Sequence, residues 1–195
     1  MSNHLRPITT RGNTVPGWTG RPYDVHVPRG YRPSKAAPVV IVLHGAGGNS
    51  AAMAALTSPS GNPESSRSLN GAADKKGFLV VYPNGTPSLD KPEARTWNAG
   101  GGDLGFECAS GRACAEGVDD VKYFKDLLAA LRRNYNIDPA RVFVTGLSNG
   151  AALAYRLAQQ AEGDIAAVAA IAGADQFSAV RVNTARRQVP ILHIH

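Results

Sequence analysis

Apolar runs and amphipathic repeats alternate along the chain. Residues 21–28 place Tyr23, Val25 and Val27 on one side and Asp24 and His26 on the other, which predicts a half-buried strand with His26 at the surface. Pro38-Val-Val-Ile-Val-Leu43 is apolar throughout, as in a strand buried on both faces, and runs into His44-Gly45. Residues 50–56 are alanine-rich and predict a helix; residues 67–76 predict another, with Gly77 as its C-cap. Residues 78–82 predict a further buried strand, closed by Pro83-Asn84-Gly85. The clearest amphipathic stripe, Val121, Phe124, Leu128, Leu131 and Tyr135, predicts a helix over 118–135. Asp119 and Asp120 suit its first turn, where backbone N–H groups lack partners. After the break at 136–139 come a β-branched run to Leu147, a helix over 151–161, a small-residue strand over 165–172, a short helix or loop over 180–187, and a last strand over 190–195. Residues 1–20 read as a loose start with room for an edge hairpin, and residues 86–117 carry no regular pattern.

Strands alternating with helices specify an α/β domain, a mostly parallel sheet with helices on both faces. One domain over 21–195, behind the loose segment 1–20, is long enough to bury a sizeable core. In such sheets catalytic groups gather at the C-terminal strand ends.

The most informative stretch is Gly146-Leu147-Ser148-Asn149-Gly150, which is Gly-x-Ser-x-Gly between a strand and a helix. A sharp turn there lifts the Ser148 hydroxyl off the sheet, and Gly146 and Gly150 are small because side chains would strike the neighbouring strand and helix. The helix N-terminus behind Ser148 favours negative charge. A second stretch, His44-Gly45-Ala46-Gly47-Gly48-Asn49, leaves a buried strand as a glycine loop. It lacks the Gly-x-Gly-x-x-Gly spacing and the Gly-Lys-Ser/Thr ending of phosphate loops. It reads better as half of an oxyanion hole, one N–H coming from Ala46 or Gly47 and the other from Asn149. His44 braces this loop and, lying before the turn, is not the general base.

Trp97 is either a flat apolar wall for substrate or a pin between loop and core. Cys108 and Cys114 lie six residues apart, as a local disulfide or as two free thiols; with no His nearby, a metal site is not indicated. The basic excess, 21 residues against 15 acidic, is scattered and lacks a nucleic-acid motif, so it reads as solvated surface. No apolar run is long enough for a membrane span. The first seven residues have no apolar core and so do not form a signal peptide, which points to the cytoplasm or to an absent leader.

Five stretches together resemble the esterases of the polyhydroxybutyrate depolymerase and feruloyl/acetylxylan esterase group of the α/β-hydrolases. They are 23–28, 39–48, Thr96-Trp97-Asn98 with Val118-Asp119-Asp120, 137–150 and 189–195. The resemblance implies an α/β-hydrolase fold, Ser148 as nucleophile, and an ester substrate, either polyester or esterified polysaccharide. It also implies secretion in many members. The chemistry needs no metal or organic cofactor, and nothing fixes the oligomeric state. In the group, the strand resembling 190–195 leads into a glycine turn with the catalytic Asp, and the catalytic His follows one more strand. The Ser, acid, His order of the fold agrees, so the expectation is a fragment that lacks the last strand or strands and a helix. Within the chain, Asp175 with His195 is the alternative pair; His193 and His195 share one face of the last strand, and His195 would need a bend at the terminus. The competing class is a catalytically inactive hydrolase-fold binding protein or an inactive fragment, against which the intact elbow and glycine loop speak.

Overall fold

The run at 38–43 and the run into Ser148 lie side by side in the middle of one seven-stranded sheet. The computed structural model describes residues 8–100, 108, 111–176 and 187–195. In chain order the first elements are β1 (Ile8–Asn13), β2 (Tyr23–Val27), β3 (Ala37–Leu43), α1 (Ser50–Leu56), α2 (Leu69–Lys76) and β4 (Leu79–Pro83). Then come the two-residue strands β5 (Thr86–Pro87) and β6 (Arg95–Thr96), and α3 (Arg112–Ala115). The rest are α4 (Asp120–Asn134), β7 (Ile137–Leu147), α5 (Asn149–Gln160), β8 (Ala167–Ile171) and β9 (Ile191–Ile194). The sheet order is β1-β2-β4-β3-β7-β8-β9. β2 runs antiparallel to both β1 and β4, while β4, β3, β7, β8 and β9 are mutually parallel.

Alternation along the central strands feeds two cores. Val39 and Ile41 of β3 and Leu79 and Val81 of β4 join the layer beneath α4 and α5. Val42, Val80 and Tyr82 point the other way, against Met53 of α1 and Ala73 of α2. This is why β3 and β4 read as unbroken apolar runs. Phe124, Leu127, Leu128 and Leu131 of α4 are all buried, each contributing roughly 1.5–3 kcal/mol of transfer free energy. The helix ends follow local chemistry: the Ser68 and Asp119 side chains accept N–H bonds at the starts of α2 and α4, and Gly77 closes α2 at φ 77°.

Three expectations change. His26 is buried, not at the surface, because β1 and α2 cover that side of β2; its ring nitrogens meet Thr9 Oγ1 and Asp74 Oδ1. The described part of the N-terminal segment is built into the domain: β1 is a sheet edge, and Trp18 packs edge-on against Tyr123. The stretch 86–117 contains the β5–β6 ladder and α3, elements too short to leave a period in the sequence. The expectation for 180–187 falls outside the described residues except for Arg187. Among the described residues no helix is long and apolar enough to cross a membrane.

Candidate active site

Ser148 sits between β7 and α5 with φ 52° and ψ −115°. Only one other described non-glycine residue has positive φ, Ala172 at the end of the neighbouring β8. Such a backbone costs roughly 1–3 kcal/mol and persists only where its surroundings over-determine it. Here they do. A Cβ on Gly146 would lie 2.4 Å from the Gly150 carbonyl carbon. A Cβ on Gly150 would lie 2.5 and 2.6 Å from the Leu43 and His44 carbonyl oxygens, and one on Gly173 would lie 2.5 Å from the Ser148 oxygen. The Ser148 N–H donates to the Ile171 carbonyl at 2.9 Å, and the Ser148 carbonyl accepts from Ala152 at 3.0 Å. The residue is therefore clamped by its backbone while its side chain is exposed at the N-terminus of a 12-residue helix.

The glycine loop stands beside it, since a Cβ on Gly45 would be 3.5 Å from Ser148 Cβ. The loop is a tight turn: Gly48 N–H donates to the Gly45 carbonyl at 3.0 Å, and Gly47 takes φ 77°. Gly47 N–H donates to the Arg95 carbonyl at 2.9 Å, and Arg95 N–H returns a bond to Gly48 at 3.1 Å. This corrects one of the two candidates. The Gly47 donor is spent in holding the loop to β6, whereas the Ala46 N–H has no acceptor among the described residues.

His44 is buried, with both ring nitrogens committed. Nε2 accepts the Gly85 N–H at 3.0 Å, so Nδ1 carries the proton and donates to the Gly45 carbonyl at 2.8 Å. Burial pushes the imidazole down to about 4; its bond to Gly45 pulls upward, and the Arg95 and Arg21 charges push it further down. His44 is thus a neutral brace for the loop.

Trp97 is fully buried and cannot form a wall open to substrate. Its indole Nε1 donates to the His44 carbonyl at 2.9 Å, and its ring lies 4.7 Å from the His44 ring. Its N–H donates to Asn149 Oδ1 at 2.8 Å, and its carbonyl accepts from Asn149 Nδ2 at 3.1 Å. Behind it, Asn98 N–H donates to Asp120 Oδ2 at 2.6 Å. Asp120 is buried in an ion pair with Arg21, whose guanidinium lies 3.7 Å over the Tyr123 ring. Of the two acidic residues read as caps, Asp119 caps α4 and Asp120 anchors this cluster. Sequence reasoning missed Arg21 and the Asn149 side chain: nothing in the chain near Arg21 distinguishes it from a surface arginine.

Cys108 and Cys114 are joined as a disulfide, with Cα atoms 5.6 Å apart. Among the described residues no group of three or more His, Cys, Asp or Glu is placed to hold a metal. His193 Nδ1 meets the Tyr155 hydroxyl, and its ring stacks on His195 at 5.8 Å. Asp175 accepts from Gln159 Nε2 at 3.0 Å. The hydrogen bonds described here for these groups, and for His26 and His44, go to partners other than Ser148. A cavity of about 400 Å³ lies at the opposite strand ends, lined by Tyr31, Arg32, Lys35, Lys76 and Arg141.

A family model described as esterase PHB depolymerase matches residues 22–188. Among curated proteins, a bifunctional acetylxylan esterase/xylanase of Neocallimastix patriciarum is 29% identical over 175 residues, covering 88% of this chain and 21% of that protein. Feruloyl esterase B of Neurospora crassa is 30% identical, covering 70% of this chain and 39% of that protein. Poly(3-hydroxyalkanoate) depolymerase C of Paucimonas lemoignei is 30% identical, covering 82% and 33%. The chain thus spans between 21% and 39% of the length of these relatives. Two solved structures share the fold. Acetyl xylan esterase from Aspergillus awamori has a TM-score of 0.64 at 18% identity, over 92% of this chain and 56% of that one. A ferulic acid esterase from Anaeromyces mucronatus, in complex with ferulic acid, has a TM-score of 0.58 at 18% identity, over 90% and 61%.

Proposed function

The chain belongs to the esterase PHB depolymerase family, and on that premise we propose that it carries the nucleophile and oxyanion hole of a serine carboxylic-ester hydrolase. The observation that carries the reading is Ser148: an exposed hydroxyl on a clamped, positive-φ backbone at a helix N-terminus. Ser148 Oγ attacks the acyl carbon while a general base takes its proton. The carbonyl oxygen becomes an oxyanion between the N–H groups of Asn149 and Ala46. The C–O bond to the alcohol then breaks, and the base returns the proton to the leaving alcohol. Water repeats the sequence on the acyl-enzyme and releases the acid. Each oxyanion donor is worth roughly a hundred- to a thousand-fold in rate.

The substrate we propose is a carboxylic ester on a polymer, polyester or esterified polysaccharide. The names of the relatives support that class: acetylxylan esterase, feruloyl esterase and poly(3-hydroxyalkanoate) depolymerase. An extracellular location is part of the proposal, and the Cys108–Cys114 disulfide supports it.

A fluorophosphonate probe applied to the natural gene product tests the reading. Wild type is expected to be labelled once per chain and Ser148→Ala not at all. Absence of labelling in wild type, or equal labelling of Ser148→Ala, sinks it. Acetyl, feruloyl and 3-hydroxybutyrate esters, assayed side by side, then rank the acyl groups.

A further inference from the structure

We propose that Trp97 is a positioning residue that sets the spacing of the two oxyanion N–H groups, an inference that rests on the oxyanion reading above. The two donors belong to segments far apart in sequence, Ala46 after β3 and Asn149 at the start of α5. Trp97 is bonded to both segments. Its indole N–H fixes the carbonyl of His44, the residue from which the Gly45–Gly48 turn departs. Its peptide grips the Asn149 side chain from both sides, N–H to Oδ1 and carbonyl to Nδ2. The two segments already touch, since any Cβ on Gly150 would strike the His44 oxygen. The tryptophan adds orientation to that contact.

The strut is itself held. Asn98 N–H is bonded to Asp120, Asn98 Nδ2 to the Val118 carbonyl at 2.9 Å, and the Asn98 carbonyl to Arg156 at 2.8 Å. Asp120 is fixed by Arg21. Apolar packing alone would be met by phenylalanine or leucine. The indole donor is used on a carbonyl two residues ahead of Ala46. Donors must lie within a few tenths of an ångström of the oxyanion position, so a small rotation of either peptide costs rate rather than substrate binding.

Diethyl p-nitrophenyl phosphate provides the test. Ser148 Oγ forms a bond to phosphorus, p-nitrophenolate leaves, and saturation kinetics separate the limiting rate kinact from the binding constant KI. Trp97→Phe keeps the ring and removes the donor. It should lower kinact roughly ten- to a hundred-fold with KI unchanged. Asn149→Ala, which releases the other end, should do the same, and the double variant should be no slower than the slower single one. Leu131→Val, a buried change in α4, serves as the control for lost stability and should leave kinact unchanged.

Unchanged kinact in folded Trp97→Phe overturns the proposal and leaves the esterase reading standing. A rise in KI alone makes the tryptophan a binding element and also overturns it. An equal loss in Leu131→Val reduces the effect to stability and overturns it as well. Failure of wild type to react, or reaction of Ser148→Ala, sinks the esterase reading and this inference with it. If Trp97→Phe does not fold, Asn149→Ala decides the matter.

Discussion

His44 has no proton to spare: one ring nitrogen accepts from Gly85 and the other donates to Gly45, with the ring pressed on Trp97. Its imidazole is pushed down to about 4 from an ordinary 6.5, so in this window the unfolded chain takes up a proton that the folded chain refuses. Stability is therefore complete above about pH 6.5 and falls as pH drops toward about 4. The loss attributable to His44 is on the order of 3 kcal/mol. Urea unfolding between neutral pH and pH 4 checks this, with His44→Gln as reference. Wild type should lose more stability on acidification than the variant, and parallel slopes would exclude the effect. The glycine turn after His44 was legible from its spacing, and the tight strand–helix turn at Ser148 was legible because Gly146 and Gly150 answer a steric demand within five residues. Trp97 was legible only as a choice between wall and pin, of which its burial fits the pin, and the roles of Arg21 and Asp120 were not legible, since they depend on partners brought from far along the chain. Arg21 and Asp120 are separated by 99 positions, and Trp97 and Asn149 by 52.

Elements were legible in proportion to their length. The helix expected over 50–56 has those bounds, and the stripe expected over 118–135 is α4. β5, β6 and α3 are too short to show a period, so their segment read as irregular. What ties these short elements to their surroundings is cross-linking. Arg95 stitches β6 to the glycine loop, Ala113 N–H donates to Thr96 Oγ1 at 3.3 Å, and Cys114 of α3 is bonded to Cys108. A bridge with a sequence separation of 6 closes a small loop. By chain entropy alone a loop of that size contributes about 2 kcal/mol. Reduction, or the Cys108→Ser/Cys114→Ser pair, should therefore lower the melting temperature by several degrees, roughly 4–8 °C for a domain of this size. Calorimetry with and without a reductant measures it. An unchanged melting temperature would mean that the hydrogen bonds to Arg95 and Thr96 hold β6 and α3 unaided.

Strand–helix alternation specified a mostly parallel sheet but could not order the strands. That order, β1-β2-β4-β3-β7-β8-β9, depends on contacts between segments with no mark of one another in the sequence. The same sheet is covered unevenly. In its interior, β4 is buried along its whole length, whereas every residue of β9 is exposed. Ile191, Leu192 and Ile194 are 43, 60 and 47% accessible, in a strand that among the described residues is paired on one side only, with β8. An apolar strand with one unpaired edge is a template for another strand, and natural sheets blunt such edges with charge or a covering element. β9 carries neither Lys, Arg, Asp nor Glu. The 195-residue polypeptide should accordingly self-associate as its concentration rises, visible by light scattering or sedimentation. Leu192→Lys places a charge at an exposed position of that strand. It should shift the distribution toward monomer with little change in melting temperature, because a side chain already 60% accessible loses little buried area. A wild-type chain that stays monodisperse and melts cooperatively at high concentration would show that β9 needs no partner strand. Association that persists undiminished in Leu192→Lys would place the contact elsewhere on the molecule.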